Sequence, residues 1–317
     1  MGNFLYRKYS EYLKEVYGEK VYKIPVNLPV LCPNRVDGSG PCAFCGDVAT
    51  GFESLSNQLS VSRQIRTNME YIGKRYKAEK FIVYFQNFTN TYMPLEEFAT
   101  YMNQADLPNV AGISVSTRPD CIRAEYLDVL DNIRKEKGFD ITVELGLQTV
   151  NYKVLNKINR MHTLGEYIDA HLMVKKYGFK VCTHMMLNLP GTDIDDAIEG
   201  AKILSALKTD FVKLHSLYIL KGTPFEKDYL SGDLEICSFE EYTERVIAFL
   251  EHLDPDTVVE RLFGRAPKEK SVFENWGHSW RKLQGILEQK MLEEGSFQGK
   301  QYNYLNGKAV KKFFQND

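Results

Sequence analysis

Leu31-Cys32-Pro33-Asn34-Arg35-Val36-Asp37-Gly38-Ser39-Gly40-Pro41-Cys42-Ala43-Phe44-Cys45 places three thiols at a C-x9-C-x2-C spacing. The segment directly follows Val21–Leu31, an apolar run that reads as a strand. Pro33, Gly38, Gly40 and Pro41 let the intervening loop curl until three sulfurs aim at one point. The remaining cysteines, Cys121, Cys182 and Cys237, are scattered without ligand spacing and read as ordinary buried thiols, so no second cluster is expected. Phe4-Leu5 is followed closely by Arg7, Lys8, Glu11, Lys14 and Glu15, which is no secretory signal, and no apolar run approaches the ~20 residues of a membrane span. A cytoplasmic location without membrane partners is the expectation. There thiols stay reduced, and clustered cysteines indicate a metal or cluster site rather than a disulfide framework.

Outward from this loop the chain alternates between two periods. Strand-like runs lie at Val21–Leu31, Lys80–Phe85, Ala111–Val115, Ile141–Leu145, Lys180–Met186 and Phe211–Leu217. Between them the stretches Ser62–Tyr76, Leu95–Gln104, Arg123–Lys137, Thr163–Tyr177 and Ile194–Leu207 carry apolar residues at three- and four-residue spacing. Strand–helix alternation predicts parallel strands joined by right-handed crossovers, hence an α/β fold, with chemistry at the C-terminal strand ends. A barrel, a half-barrel and a doubly wound sheet all satisfy this pattern. Beyond Gly222 the rhythm changes: Ser238–Leu253 reads as a helix opened by a Ser238/Glu241 capping box, Thr257–Leu262 as one more strand, Trp280–Glu294 as a last helix, and the chain from Gly295 as a loose tail. The expected division is an N-terminal helical extension over 1–20, a barrel over 21–225 and an α-rich C-terminal extension over 226–317.

With 317 residues, 44% hydrophobic and 26% charged, the chain has enough apolar material for one large domain. A formal net charge of −2 gives no global sign of nucleic-acid binding, although a local basic face is compatible with it.

The thiol triplet admits two readings. A structural zinc site wants a fourth ligand, and His162, His171, His184, His215, His252 and His278 all lie far along the chain. A [4Fe–4S] cluster held by three thiolates leaves one iron open to a small chelating molecule.

The triplet with Phe44 before its last cysteine resembles the radical S-adenosylmethionine (SAM) superfamily. Tyr84-Phe85-Gln86-Asn87-Phe88-Thr89-Asn90, Ser114-Val115-Ser116-Thr117-Arg118-Pro119-Asp120, Glu144-Leu145-Gly146-Leu147-Gln148-Thr149 and His184-Met185-Met186-Leu187-Asn188-Leu189-Pro190-Gly191 follow in order. Together they resemble the YtqA/YhcC-type branch, related to the elongator catalytic subunit, over roughly residues 4 to 295.

The resemblance implies a partial (β/α)6 barrel, a [4Fe–4S] cluster on Cys32, Cys42 and Cys45, and reductive cleavage of SAM to a 5′-deoxyadenosyl radical. It implies cofactor contacts at Phe44 (adenine), Gln86 (amino group, where the family usually has a Gly-Gly-Glu-like turn), Ser116 and Arg118 (carboxylate or ribose), Glu144, Gln148, Arg160 and Met185. Lys213 and His215 are substrate-side candidates. For several of these a plain structural role competes: a turn clasp for Arg118, a buried ion pair for Glu144, core packing for Met185. The family relatives point to tRNA, at the side chain of a modified wobble uridine, and to a flavodoxin- or ferredoxin-like electron donor. The basic clusters Lys74-Arg75-Lys77-Lys80, Arg261-Arg265-Lys268-Lys270 and Lys308-Lys311-Lys312 are the local features compatible with RNA. A small metabolite or peptide as substrate, or a non-catalytic zinc- or cluster-stabilised binding protein, are the alternatives.

Overall fold

A computed structural model describes residues 4–46 and 52–314. The first and last residues of the two expected extensions, 1–3 and 315–317, lie outside the described residues. After helix α1 (Tyr9–Tyr17) come β1 (Val21–Val26), a short turn α2 (Pro33–Val36), α3 (Val61–Tyr76), β2 (Lys80–Phe85), α4 (Leu95–Asn103), β3 (Val110–Thr117), α5 (Ala124–Lys137) and β4 (Asp140–Gln148). The chain continues through α6 (Tyr152–Lys157), α7 (Leu164–Lys176), β5 (Lys180–Met185), α8 (Ile194–Ala206), β6 (Phe211–Leu214), β7 (Ile219–Leu220), α9 (Pro224–Ser231), α10 (Phe239–His252), β8 (Val258–Arg261), β9 (Ser271–Phe273) and α11 (Trp280–Glu293).

Seven strands pair in parallel in the order β1-β2-β3-β4-β5-β6-β8, and β7 and β9 form a small antiparallel pair. Laid flat, seven strands would separate the edges by about 29 Å, from a spacing of about 4.8 Å per pair. Yet Lys23 Nζ on β1 lies 2.6 Å from Glu260 Oε1 on β8. The sheet is therefore curled into a half-barrel whose edge strands face each other across a gap, the partial barrel expected from the sequence with a seventh strand added by 258–261.

Strand alternation sorts side chains into two environments. Ile24, Val83, Phe85, Ile113, Val115, Val143, Leu145, Val181, Val212 and Leu214 face the helix layer and form the main core with Phe98, Leu127, Tyr167, Leu204 and Phe249. The alternate residues Lys23, Tyr84, Ser114, Glu144 and Lys213 meet inside the barrel. Helix α1 plugs its N-terminal end: Tyr9 and Tyr12 pack edge-on against Phe211, and Leu13 joins Val21 and Ile82.

Two expectations are corrected. The first strand stops at Val26 instead of Leu31, because the Gln64 side chain takes both the N–H and the C=O of Asn27 and turns the chain out of the sheet. The chain beyond Gly295 is no loose tail through Tyr304. Buried Gln298 donates to the carbonyls of Asp254 and Thr257 at 2.7 Å, accepts from Arg7 N at 2.9 Å, and its own N–H reaches Leu5 O. Tyr302 and Tyr304 hydroxyls then anchor on Asp254 and the His252 carbonyl. That stretch staples the N-terminal segment to the start of β8, where Val259 N bonds Arg7 O.

Candidate active site

The cysteine loop sits at the C-terminal ends of the strands, and each thiol meets a different arginine. Arg118 Nη1 lies 3.7 Å from Cys32 Sγ, Arg160 Nη1 3.7 Å from Cys42 Sγ, and Arg35 Nη2 3.8 Å from Cys45 Sγ. Asn34 Nδ2 adds a contact to Cys42 Sγ at 3.6 Å. The loop is fixed from outside by Asn159, held at φ 55°, whose side-chain amide donates to the carbonyls of Ser39, Gly40 and Pro41. Thus the Asn159-Arg160-Met161-His162 stretch after α6 serves as a clasp on the thiol loop. Burial, with Cys42 nearby, raises the Cys45 thiol above its ordinary pKa, and the Arg35 contact works in the opposite direction.

The donor set discriminates between the two metal readings. One tetrahedral zinc with Zn–S bonds of about 2.3 Å would bring its sulfurs to about 3.8 Å from each other. Among the described residues, the group of metal-ligand atoms that all lie within 4.8 Å of one another is Glu144, Cys182 and His184, not the loop thiols. Three thiols that each face a cationic donor suit the corners of an anionic multi-iron cluster. The Glu144–Cys182–His184 group is itself unsuited to a cation, since Lys23 and Lys213 already lie 2.7 and 3.1 Å from Glu144.

A small cavity of about 110 Å³ opens beside the thiols, and Phe44, Gln86, Ser116, Arg118, Gln148 and Arg160 all line it with Cys32, Cys42 and Cys45. The fold thus brings these residues together around one cavity. Their bonding separates them. The Arg118 guanidinium is consumed: it forks onto Asp120, contacts Asn34 Oδ1 and reaches Met161 O. Arg160 donates Nε and Nη2 to Gly146 O at 3.2 and 2.7 Å. His162 Nε2 shares that carbonyl at 3.0 Å, and burial with Arg160 nearby pulls its pKa down to about 3, leaving it neutral. Both arginines are thus tied to the loop and its support.

Two expected contacts lie elsewhere. Met185 is 1% exposed and faces the helix layer, where a Cβ on Gly200 would stand 2.9 Å from its Cε. Met186, one residue on, packs instead with Ala43, Val154 and Ile158 beside Phe44. Glu144 does not line the thiol cavity. It is wholly buried inside the barrel and accepts from Lys23 (2.7 Å), Ser114 (2.6 Å), His184 (2.6 Å) and Lys213 (3.1 Å). Burial alone would raise its pKa, but Lys213 and Lys23 outweigh that and hold it well below the usual carboxylate range. Lys213 also sits over the Tyr84 ring at 4.4 Å and lines a second cavity of about 780 Å³ at the open edge between β1 and β8. His215 packs against His184 with ring centroids 5.1 Å apart and the rings tilted by 38°, and its buried Nε2 has no hydrogen-bond partner among the described residues. Burial and the neighbouring His184 push its pKa well down, so it is neutral. Gln86 lines both cavities and so marks where they adjoin. Asn34, Arg35 and Asn159 were not singled out from sequence, although Asn34 and Arg35 stand inside the thiol loop itself.

Comparison with known proteins agrees with this geometry. The Radical SAM superfamily profile matches residues 26–203, and the Radical_SAM C-terminal domain matches 209–292. The uncharacterised protein YtqA of Bacillus subtilis is 34% identical over 96% of this chain and 95% of its own length. An uncharacterised protein of Methanocaldococcus jannaschii is 33% identical over 94% and 93%. Among solved structures, the archaeal Elp3 of Methanocaldococcus infernus superposes with a TM-score of 0.66 over 87% of this chain and 63% of that one, at 17% identity, which supports the fold. With the superfamily match spanning more than half of its residues, the chain belongs to the radical SAM superfamily, whose enzymes use a [4Fe–4S] cluster and S-adenosylmethionine.

Proposed function

We propose that this radical SAM enzyme ligates its cluster through Cys32, Cys42 and Cys45 and modifies tRNA at the side chain of a wobble uridine. The observation that carries the cluster assignment is the pairing of each thiol with its own arginine beside a cavity at the strand ends. Bound there, cluster and SAM would supply a 5′-deoxyadenosyl radical after one-electron reduction by a flavodoxin- or ferredoxin-like donor. The chain's own residues divide the remaining work. Arg118 and Arg160, their donors already engaged, position the thiol loop and lower the cost of negative charge on it. Phe44, Gln86, Ser116 and Gln148 are assigned to SAM, with Phe44 beside the adenine and the three polar groups for its amino, carboxylate and ribose functions. Lys213 and His215 lie toward the substrate.

The RNA reading is supported by the resemblance to the Elp3-related branch and by the cationic, aromatic lining of the open-edge cavity. The size of that cavity, about 780 Å³, also falls within the range of about 300–1,000 Å³ typical of small-molecule sites, which favours a metabolite as the second reading.

Anaerobic reconstitution followed by dithionite and SAM tests the chemistry. The expected result is about four irons per chain and 5′-deoxyadenosine, both lost in the Cys32→Ala/Cys42→Ala/Cys45→Ala variant. Retention of the iron chromophore in that variant, or one zinc and no iron in the parent protein, would remove the cluster assignment. Mass spectrometry of tRNA from a deletion strain then separates the RNA reading from the metabolite one, since only the former changes the wobble nucleoside.

A further inference from the structure

The cavity at the open edge is predominantly cationic. Seven of its lining residues are Lys or Arg and two are Glu, so its field is positive. Of the two carboxylates, Glu260 is already held by Lys23 at 2.6 Å. The densest part lies where β8 and the start of α11 meet. Arg265 stands over the Trp280 indole with its guanidinium carbon 4.1 Å from the ring centroid, and Arg281 does so at 4.9 Å. Arg261 and Arg265 line the cavity, and Arg281 stands beside it against the Trp280 ring. Among the described residues no ion pair joins any of these three arginines to a carboxylate; the fields of Glu53 and Tyr76 reach Arg265.

Two local penalties accompany this arrangement. Burial and the neighbouring Arg261 draw the Arg265 guanidinium down to about 10, so it remains charged at neutral pH among like charges. Arg281 occupies the first turn of the 14-residue α11, which has no acidic residue there, so its charge opposes the helix dipole. Where several local choices are unfavourable together and the fold offsets them only by ring contacts and the Glu53 and Tyr76 fields, a ligand of opposite charge is the consistent explanation. An oxyanion would relieve both, and guanidinium forks match it in bidentate geometry. The positive lining continues past the arginines to Lys20 and Lys14, which suits a chain of negative groups better than a single carboxylate.

We infer that Arg261, Arg265 and Arg281, gathered at Trp280 on the open edge of the barrel, bind backbone phosphates of an RNA substrate. The inference rests on the tRNA reading above and adds the site that holds the strand.

Binding of a fluorescently labelled anticodon stem-loop RNA to the reconstituted holoenzyme, measured by anisotropy across a salt series, is the test. Parent protein, Arg265→Gln, Arg281→Gln and a control, Lys137→Gln on the outer helix α5, are compared, each checked for unchanged iron content. Each phosphate contact contributes a slope of about 0.7–0.9 in log K against log salt. The arginine variants are expected to lose about that much slope each, and the control none. Parent binding with unchanged slope in both arginine variants would overturn this site and leave the RNA reading standing. No RNA binding by a parent holoenzyme that still releases 5′-deoxyadenosine would overturn both.

Discussion

Arg160 Nη1 lies 3.7 Å from Cys42 Sγ, although 118 residues separate the two in the chain, and its other two nitrogens grip the carbonyl of Gly146 at the end of β4. One guanidinium therefore ties the thiol loop to the barrel rim. Gly146 has to be glycine for this: a Cβ there would stand 2.5 Å from Arg160 Nη2 and 2.9 Å from Gln148 Nε2.

Arg160→Lys should therefore lower SAM cleavage by roughly 10–100-fold, the range for residues that support metal ligands, because an ammonium cannot grip Gly146 O and reach the sulfur together. Gly146→Ala should reproduce the defect by displacing the same guanidinium. Iron per chain and the rate of 5′-deoxyadenosine release, with circular dichroism to confirm folding, read both variants. Parent-like rates in Gly146→Ala would show that the clasp does not position the site.

Glu144 anchors an ion network inside the barrel with Lys23, Lys213 and Glu260. Glu144→Gln leaves two buried lysines sharing one carboxylate, and removal of one partner from a buried pair costs about 3–5 kcal/mol. The urea midpoint should fall accordingly. Adding Lys213→Met restores charge balance, so the double variant is expected to be more stable than the sum of the single effects predicts. Strict additivity in that cycle would mean that the two groups do not interact.

Strand–helix alternation made the parallel α/β class and its C-terminal rim legible in the sequence, because parallel crossovers follow from local periodicity, while the partial barrel and the cluster loop came from the family resemblance. The side-chain orientation at Met185 and Met186 was not legible, since the register that sends one to the helices and the other to the thiol loop is fixed by pairing with β4 and its bulge at Gly146/Gln148. Glu144 was likewise misplaced because its partners come from β1 and β6, which only the curl of the sheet brings together. Gln298 escaped notice for the same reason: its bonds reach segments 41 and more residues away.

The methionine pair gives a direct check on that register. Met185→Ala should cost about 2–5 kcal/mol of stability, as a buried large-to-small change does. SAM affinity per folded molecule should stay unaltered, because Met185 packs on α8. Equilibrium denaturation and SAM binding by calorimetry separate the two effects. A large loss of affinity with stability intact would return Met185 to the SAM site.

His171 supplies a pH prediction away from the thiol loop. It is fully buried on α7, its Nε2 lies 3.0 Å from Thr209 Oγ1, and its Nδ1 has no partner. Burial, aided by Lys175, lowers its pKa to about 4 from an ordinary 6.5. Between these values the unfolded chain holds the proton and the folded chain does not, so stability falls as pH drops below 6.5 and the loss levels off near 4. At pH 5 that amounts to about 2 kcal/mol. His171→Gln cannot take up the proton in either state and should therefore show a shallower decline between pH 7 and pH 5 by that amount. Urea midpoints of the two proteins at several pH values measure it, and parallel curves would show that His171 is protonated to the same extent folded and unfolded.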